Sequence, residues 1–242
     1  MTDKPKNRGT DPEDEKSFSE PELIKLKKAQ EETAWLLGRG YPMIAVITLV
    51  GGHHQLTARQ RLSVQRSACP VKVCESRKAR LLPYGKLSEG PLQIDGFNLI
   101  ITMEVALSSG IVLLCSDGTM RDLAGLRGTY HPINKTDEAL DIIGRAVQKF
   151  NIPEIVFWLD SPVSNSGRLK TRIMEHADNW NIPVDVRLVV NPDAMLSGME
   201  RIVTSDSVIL DNCLSWFNLA PCLIDSYIPN ARIINLSNVS KK

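Results

Sequence analysis

The chain has 242 residues, 43% of them hydrophobic and 24% charged, which is ordinary for a soluble globular protein and enough to bury a core without disulfide staples. Its formal net charge is +1, but residues 1–20 hold four basic and six acidic side chains, residues 21–90 twelve and five, and residues 91–242 thirteen and seventeen. Such asymmetry points to a polyanionic partner for the basic segment, and to solvated surface or bound cations for the acidic one.

The first twenty residues are polar, nearly free of large hydrophobes, and unlike a secretory leader. They are expected to be disordered. Pro21 suits a first helical turn, and Leu23, Leu26, Ala29, Thr33, Leu36 and Leu37 recur at roughly helical spacing. Gly38, Gly40 and Pro42 break that helix. The longest apolar run, Met43 to Val50, is eight residues. A membrane span needs about 20, so the run is a buried strand or a core helix and no membrane is implied. Gly51-Gly52 is expected to turn the chain. Thr57 then caps a helix over 58–67, with Leu62 and Val64 inside and Arg59, Arg61 and Arg66 outside. The later part of 75–90 reads as a linker. Residues 21–88 therefore form a basic, mainly helical domain, and 89–242 a second domain.

Five cysteines, an odd number, fit free thiols in a reducing cytoplasm. Cys69 and Cys74, with His53 and His54 upstream, are either a zinc site or, on the simpler reading, two buried thiols and a polar turn.

From residue 91 strand and helix alternate. Strands are expected at 92–94, 111–116, 155–159, 184–190, 202–204 and 232–236. Thr136 should cap a helix over 137–150 with the stripe Leu140, Ile143, Val147 and Phe150. A second stripe is Leu169, Ile173, Ala177 and Trp180, and Asn191-Pro192 starts a further helix. The alternation predicts an α/β fold, a mainly parallel sheet flanked by helices.

Five successive strands run into an acid at the same sheet edge: Asp95, Asp117, Asp160, Asp193 (after Asn191) and Asp206. Carboxyl ends of parallel strands are where such sheets bind ligands. Each aspartate alone is equally a turn residue or N-cap. Together, like charges need a cation between them, and hard oxygen donors suit Mg²⁺ or Mn²⁺. Paired ions of this kind clamp a phosphodiester without a protein nucleophile. Signatures for dinucleotide, P-loop and serine-hydrolase sites are missing, so no nucleotide cofactor is expected. His131 reads as a packing or capping residue.

The strand-end segments IDGFNLI (94–100), FWLDSP (157–162), NPDAMLS (191–197) and VTSDSVI (203–209) resemble a PIN-like nuclease domain of the NYN branch. With WLLGRGYP at 35–42 and the helical start, the chain resembles the mainly archaeal "domain of unknown function 434" family. The resemblance implies metal-dependent hydrolysis of RNA. Asp95, Asp160, Asp193 and Asp206 would be the catalytic acids, the first, second and last of them holding the metal. Asn98, Thr204 and Ser205 would support them. Segment 116–128 departs from the pattern: Asp117 and Asp122 either add ligands or order a loop, and Arg121 and Arg127 either meet a phosphate or pair with those acids. Ser166-Gly167 with Arg168 is either a phosphate-binding helix start or an ordinary one.

Arg59, Arg61 and Arg66, and a second cluster of Arg77, Lys78 and Arg80, are candidates for RNA phosphates, for a solvated face, or for docking a second copy as a homodimer. Trp35, Tyr41 and Tyr84 are too sparse in sequence to argue for base stacking. The alternatives to a ribonuclease are a non-catalytic RNA-binding or interaction protein on the same fold, and a small-molecule phosphatase.

Overall fold

The computed structural model describes residues 7–125 and 128–237. It is an α/β protein with a helical N-terminal region. That region comprises α1 (Asp14–Ser17), α2 (Glu20–Gly38), α3 (Met43–His53), α4 (Ala58–Ser67) and α5 (Val71–Ala79), followed by a 3₁₀ turn, Tyr84–Glu89. The remainder is β1 (Leu92–Asp95), α6 (Gly96–Leu107), β2 (Ile111–Leu114), β3 (Met120–Asp122), α7 (Asn134–Lys149), β4 (Ile155–Asp160), α8 (Ser166–Ala177), β5 (Val184–Val189), α9 (Pro192–Leu196), β6 (Ile202–Val203), α10 (Ser207–Asn212), β7 (Trp216–Phe217), α11 (Leu219–Tyr227) and β8 (Arg232–Asn235).

Pro21 sits in the first turn of α2, where its missing N–H costs nothing. The buried positions Leu26, Ala29, Gln30 and Thr33 then fall on one face. The apolar run after Pro42 is a helix, and it does not turn at Gly51-Gly52: α3 continues to His53. Gly51 serves packing instead of a turn. A Cβ at Gly51 would collide with the Arg61 side chain, and Arg61 needs that space to reach the carbonyls of Ile47 (3.1 Å) and Leu56 (3.0 Å). Thr57 caps α4 as expected, exchanging bonds with Gln60 in a capping box. Thr136 is not the cap of α7. The helix starts two residues earlier, and Thr136 Oγ1 accepts from the Ile133 N–H at 2.9 Å.

The main sheet has five parallel strands in the order β5-β4-β1-β6-β7. A second sheet orders β3-β2-β8, with β2 antiparallel to β3 and parallel to β8. Most of the main core lies between the large sheet and α6, α7 and α8. Leu99, Ile100, Met103, Leu140, Ile143, Phe157, Leu169 and Ile173 are among its fully or almost fully buried members.

The helical region does not hang on a linker. Leu26, Val46, Val50, Leu56 and Val64 join one apolar cluster with Ile111, Leu113 and Ile234 of the second sheet and Leu236 just after it. Each such side chain contributes about 1.5–3 kcal/mol on burial, so the two regions stabilise each other. Residues 80–83 connect them by pairing: Leu82 N–H donates to the Trp216 carbonyl at 2.8 Å and Trp216 N–H to the Arg80 carbonyl at 3.1 Å.

Residues 7–20, expected to lack structure, are packed in place. Phe18 enters the same cluster. Arg8 pairs with the fully buried Glu104 at 2.6 Å, and Arg59 binds the Asp14 carboxylate. One aromatic and two buried ion pairs offset the ordering cost that composition alone suggests is prohibitive. Among the described residues no helix is long and apolar enough to cross a membrane.

Candidate active site

β1 passes directly into α6, so Asp95 is both the last strand residue and the residue before the helix. Gly96 makes this possible: a Cβ there would stand 2.5 Å from Leu159 Cδ2 and 3.2 Å from the Trp158 carbonyl. Numbered within the main sheet alone, the strand order is 3-2-1-4-5, and its direction reverses between β1 and β6. That reversal is the switch point at which doubly wound sheets open a ligand crevice. Asp95 ends the strand on one side of it. Thr204, Ser205 and Asp206 follow the strand on the other.

These residues are wired together. Thr204 Oγ1 donates to Asp95 Oδ2 at 2.8 Å and accepts from the Asp206 N–H at 2.9 Å. Asn98 Oδ1 accepts from both the N–H and the hydroxyl of Ser205, at 2.8 and 2.9 Å. The three supports expected from sequence thus hold the turn against the strand. Asp206 Oδ1 caps α10 through the Val208 N–H at 2.7 Å.

One cleft of about 480 Å³ is lined by Asp95, Asp160, Asp193 and Asp206. The second sheet adds Asp122 and α4 adds Arg66, while Phe97, Ile101, Tyr130 and Val163 form apolar walls. Burial pushes the Asp95 carboxyl up to about 7; Thr204 opposes the shift, and Asp206 and Asp193 add to it. Burial also raises Asp193, with Asp206 and Asp160 adding repulsion, and raises Asp160. Asp160 Oδ1 is buried with no hydrogen-bond partner.

Mutually repelling carboxylates and an orphaned oxygen suit a hard cation by donor chemistry. The arrangement is open, however. Among the described residues no group of three His, Cys, Asp or Glu side chains is placed to hold one ion. Mg²⁺ is often held by only one or two carboxylates, with water and substrate phosphate completing its shell, and the donors fit that mode.

Asp117 is not at this edge. β2 belongs to the second sheet, and Asp117 is locked by Arg77 (2.5 Å), Arg121 (2.6 Å) and the Thr119 hydroxyl (2.6 Å). Burial opposes its ionisation, but Arg121, Thr119 and Arg77 together hold its carboxyl below the ordinary value. Asp122 does reach the cleft, beside Arg66 at 3.5 Å, and accepts from the Ala124 N–H at 2.7 Å.

The basic candidates divide. Arg66 lines the cleft, and its Nε is buried without a partner. Lys78 and Arg168 are exposed, and neither lines the cleft. The other arginines work inside the fold. Arg77 also binds Asp211 at 2.8 Å, Arg80 donates to the Cys213 carbonyl at 2.7 Å, Arg61 bonds α3, and Arg59 holds residues 9 and 14. Arg121 donates to the Ser205 carbonyl at 2.7 Å and the Arg66 carbonyl at 2.7 Å, which fixes the turn that carries Asp206. Arg127 lies outside the described residues. His54 binds Glu32 at 2.8 Å and the Cys74 thiol faces the Cys69 carbonyl, so these residues have partners other than zinc. His131 accepts Asn165 at 3.0 Å on its ring and Arg8 on its carbonyl. The cleft wall residue Tyr130, bonded to Glu104 at 2.8 Å, has no sequence signal that would have found it.

Fold and cleft define an α/β protein with an acidic ligand crevice at the switch point of a parallel sheet, closed on one side by a helical region. The chain belongs to the family described as domain of unknown function (DUF5616), which matches residues 84–222. Residues 25–80 match the family described as protein of unknown function (DUF434), in line with the resemblance read from sequence. An uncharacterized protein of Methanocaldococcus jannaschii is 30% identical over 187 residues, covering 77% of this chain and 89% of the relative. No solved structure matches the chain.

Proposed function

We propose that the cleft hydrolyses RNA phosphodiester bonds with Mg²⁺ or Mn²⁺, as the PIN-like resemblance implies. The observation that carries this reading is the convergence of four aspartates from β1, β4, α9 and the turn after β6 on one crevice, where burial raises Asp95 and Asp193 and mutual repulsion adds to it. A bound divalent ion would supply charge neutralisation at the phosphate and a water of lowered pKa. Asp95 and Asp206 would hold it, two carboxylates with water and substrate phosphate completing its shell, and Asp160, whose Oδ1 has no partner, would accept from one of those waters. Thr204 orients the Asp95 carboxylate, and Asn98 and Arg121 keep the Asp206 turn in place. Asp193 adds negative potential that favours cation entry. The apolar walls Phe97 and Tyr130 reduce solvation of the site. Incubating labelled RNAs with and without Mn²⁺, beside the Asp95→Asn variant, tests the proposal. Cleavage is expected only for the unaltered protein with the ion.

A further inference from the structure

The acidic cleft does not end at Asp206. A second cavity of about 500 Å³ shares Arg66, Asn98 and Asp206 with it and follows the seam between the helical region and the Thr204–Asp206 turn. A third, of about 530 Å³, shares Leu37, Pro70 and Val73 with the second. Its far wall is Trp35, Arg39 and Lys72. Through these shared lining residues the three adjoin in series, a path from the strand ends to the C-terminal end of α2.

Its character changes along its length. It is acidic at the cleft, carries Arg66 at the first junction, and ends on an aromatic ring flanked by two cations. Trp35 is 58% exposed, whereas Trp158, Trp180 and Trp216 are buried. The Arg39 guanidinium lies 4.1 Å from the Trp35 ring centroid. A flat indole backed by a guanidinium offers a base a stacking face, and neighbouring cations attract the phosphates that accompany it. A paired duplex hides its base faces, so the platform selects unpaired strand.

We propose that this groove holds the flanking part of a single-stranded RNA, with a base on Trp35 and phosphates beside Arg66, Arg39 and Lys72. The helical region is then part of the substrate site. The placement rests on the reading of the cleft as an RNA phosphodiester site. It also revises the sequence-based expectation: one well-placed tryptophan supplies what sparse aromatic content did not suggest.

The test uses the full chain and fluorescein-labelled oligouridylates of about 4 and about 12 nucleotides in chelator, read by anisotropy for every variant and also by tryptophan quenching for the unaltered protein. It is paired with Mn²⁺-supported cleavage by the unaltered protein, Trp35→Ala and Trp35→Phe. The long oligomer should quench the exposed tryptophan. Trp35→Ala should weaken its binding about tenfold or more and raise KM with little change in kcat, Trp35→Phe should retain most of the affinity, and the short oligomer should be indifferent. Equal binding of the long oligomer by the unaltered protein and Trp35→Ala overturns the proposal. So does Trp35-dependent self-association in sedimentation, which assigns the surface to a second copy. Trp35-dependent binding without any cleavage supports the groove and removes the hydrolytic reading. Asp95-dependent cleavage that ignores Trp35 retains hydrolysis and removes the groove.

Discussion

Replacing Asp95 by Asn should stabilise the protein while removing the proposed RNA cleavage. Burial and two neighbouring aspartates push the Asp95 carboxyl up to about 7 from an ordinary 3.8. In the unfolded chain it ionises near 4, so the native state binds an extra proton between about pH 4 and pH 7. Stability therefore falls as pH rises through that window and levels off above it. At about 1.4 kcal/mol per pH unit, over about three units, the penalty reaches roughly 4 kcal/mol above pH 7. Asparagine is nearly isosteric, keeps an oxygen for the Thr204 hydroxyl, and carries no charge. Asp95→Asn should match the unaltered protein in melting temperature near pH 4 and exceed it by about 8–16 °C at pH 8, using about 2–4 °C per kcal/mol for a chain of this size. Mn²⁺ should raise the melting temperature of the unaltered protein and leave the variant unmoved, because a ligand stabilises only the state that binds it. Differential scanning fluorimetry across pH, with and without the ion, reads both effects. A variant no more stable than its parent at pH 8 refutes the electrostatic account of the cleft.

Three further outcomes are expected. Thr204→Val removes the donor to Asp95 and strands the Asp206 N–H, so equilibrium unfolding should show a loss of about 1–3 kcal/mol together with weaker Mn²⁺ binding by calorimetry. Arg121→Met leaves Asp117 with Arg77 and Thr119 and frees the Ser205 carbonyl, costing about 3–5 kcal/mol in urea unfolding. Because Asp117 is held below its ordinary pKa, the stability it contributes is present above the unfolded value near 4 and lost as pH falls further, and the variant should show that acid transition weakened. Phe18→Ala opens a cavity between residues 7–20 and the shared core. It should cost about 3–5 kcal/mol and raise amide exchange in both regions together; loss confined to the N-terminal residues contradicts a shared core.

What could be read from sequence follows the physics of each element. β1 and β4 announce themselves as short apolar runs that end in aspartate, and α7 and α8 as stripes of period 3.6. β3 and β7 have three and two residues, too few for any period, so the separate sheet that removes Asp117 from the site was invisible. The run in α3 has no period because its apolar residues surround the helix, with Ile44 83% exposed and Val46 buried. Arginine is ambiguous in sequence because its charge looks the same whether it meets a phosphate or a buried carboxylate. Arg59, Arg77 and Arg121 took the second course, through partners 40 to 134 residues away for Arg59 and Arg77 and with Asp117 for Arg121. The charge contrast between the two parts of the chain is therefore partly an internal seam, in which Arg77 of the helical region binds Asp117 and Asp211 of the other. Arg66 is what remains of it at the cleft.

The most direct measurement is single-turnover cleavage of an end-labelled, unstructured RNA in Mn²⁺ by the unaltered protein, Asp95→Asn and Asp206→Asn. Cleavage by the first, abolished by chelator and absent in both folded variants, is the predicted result. Full activity in both variants would contradict the assignment of the strand-end aspartates.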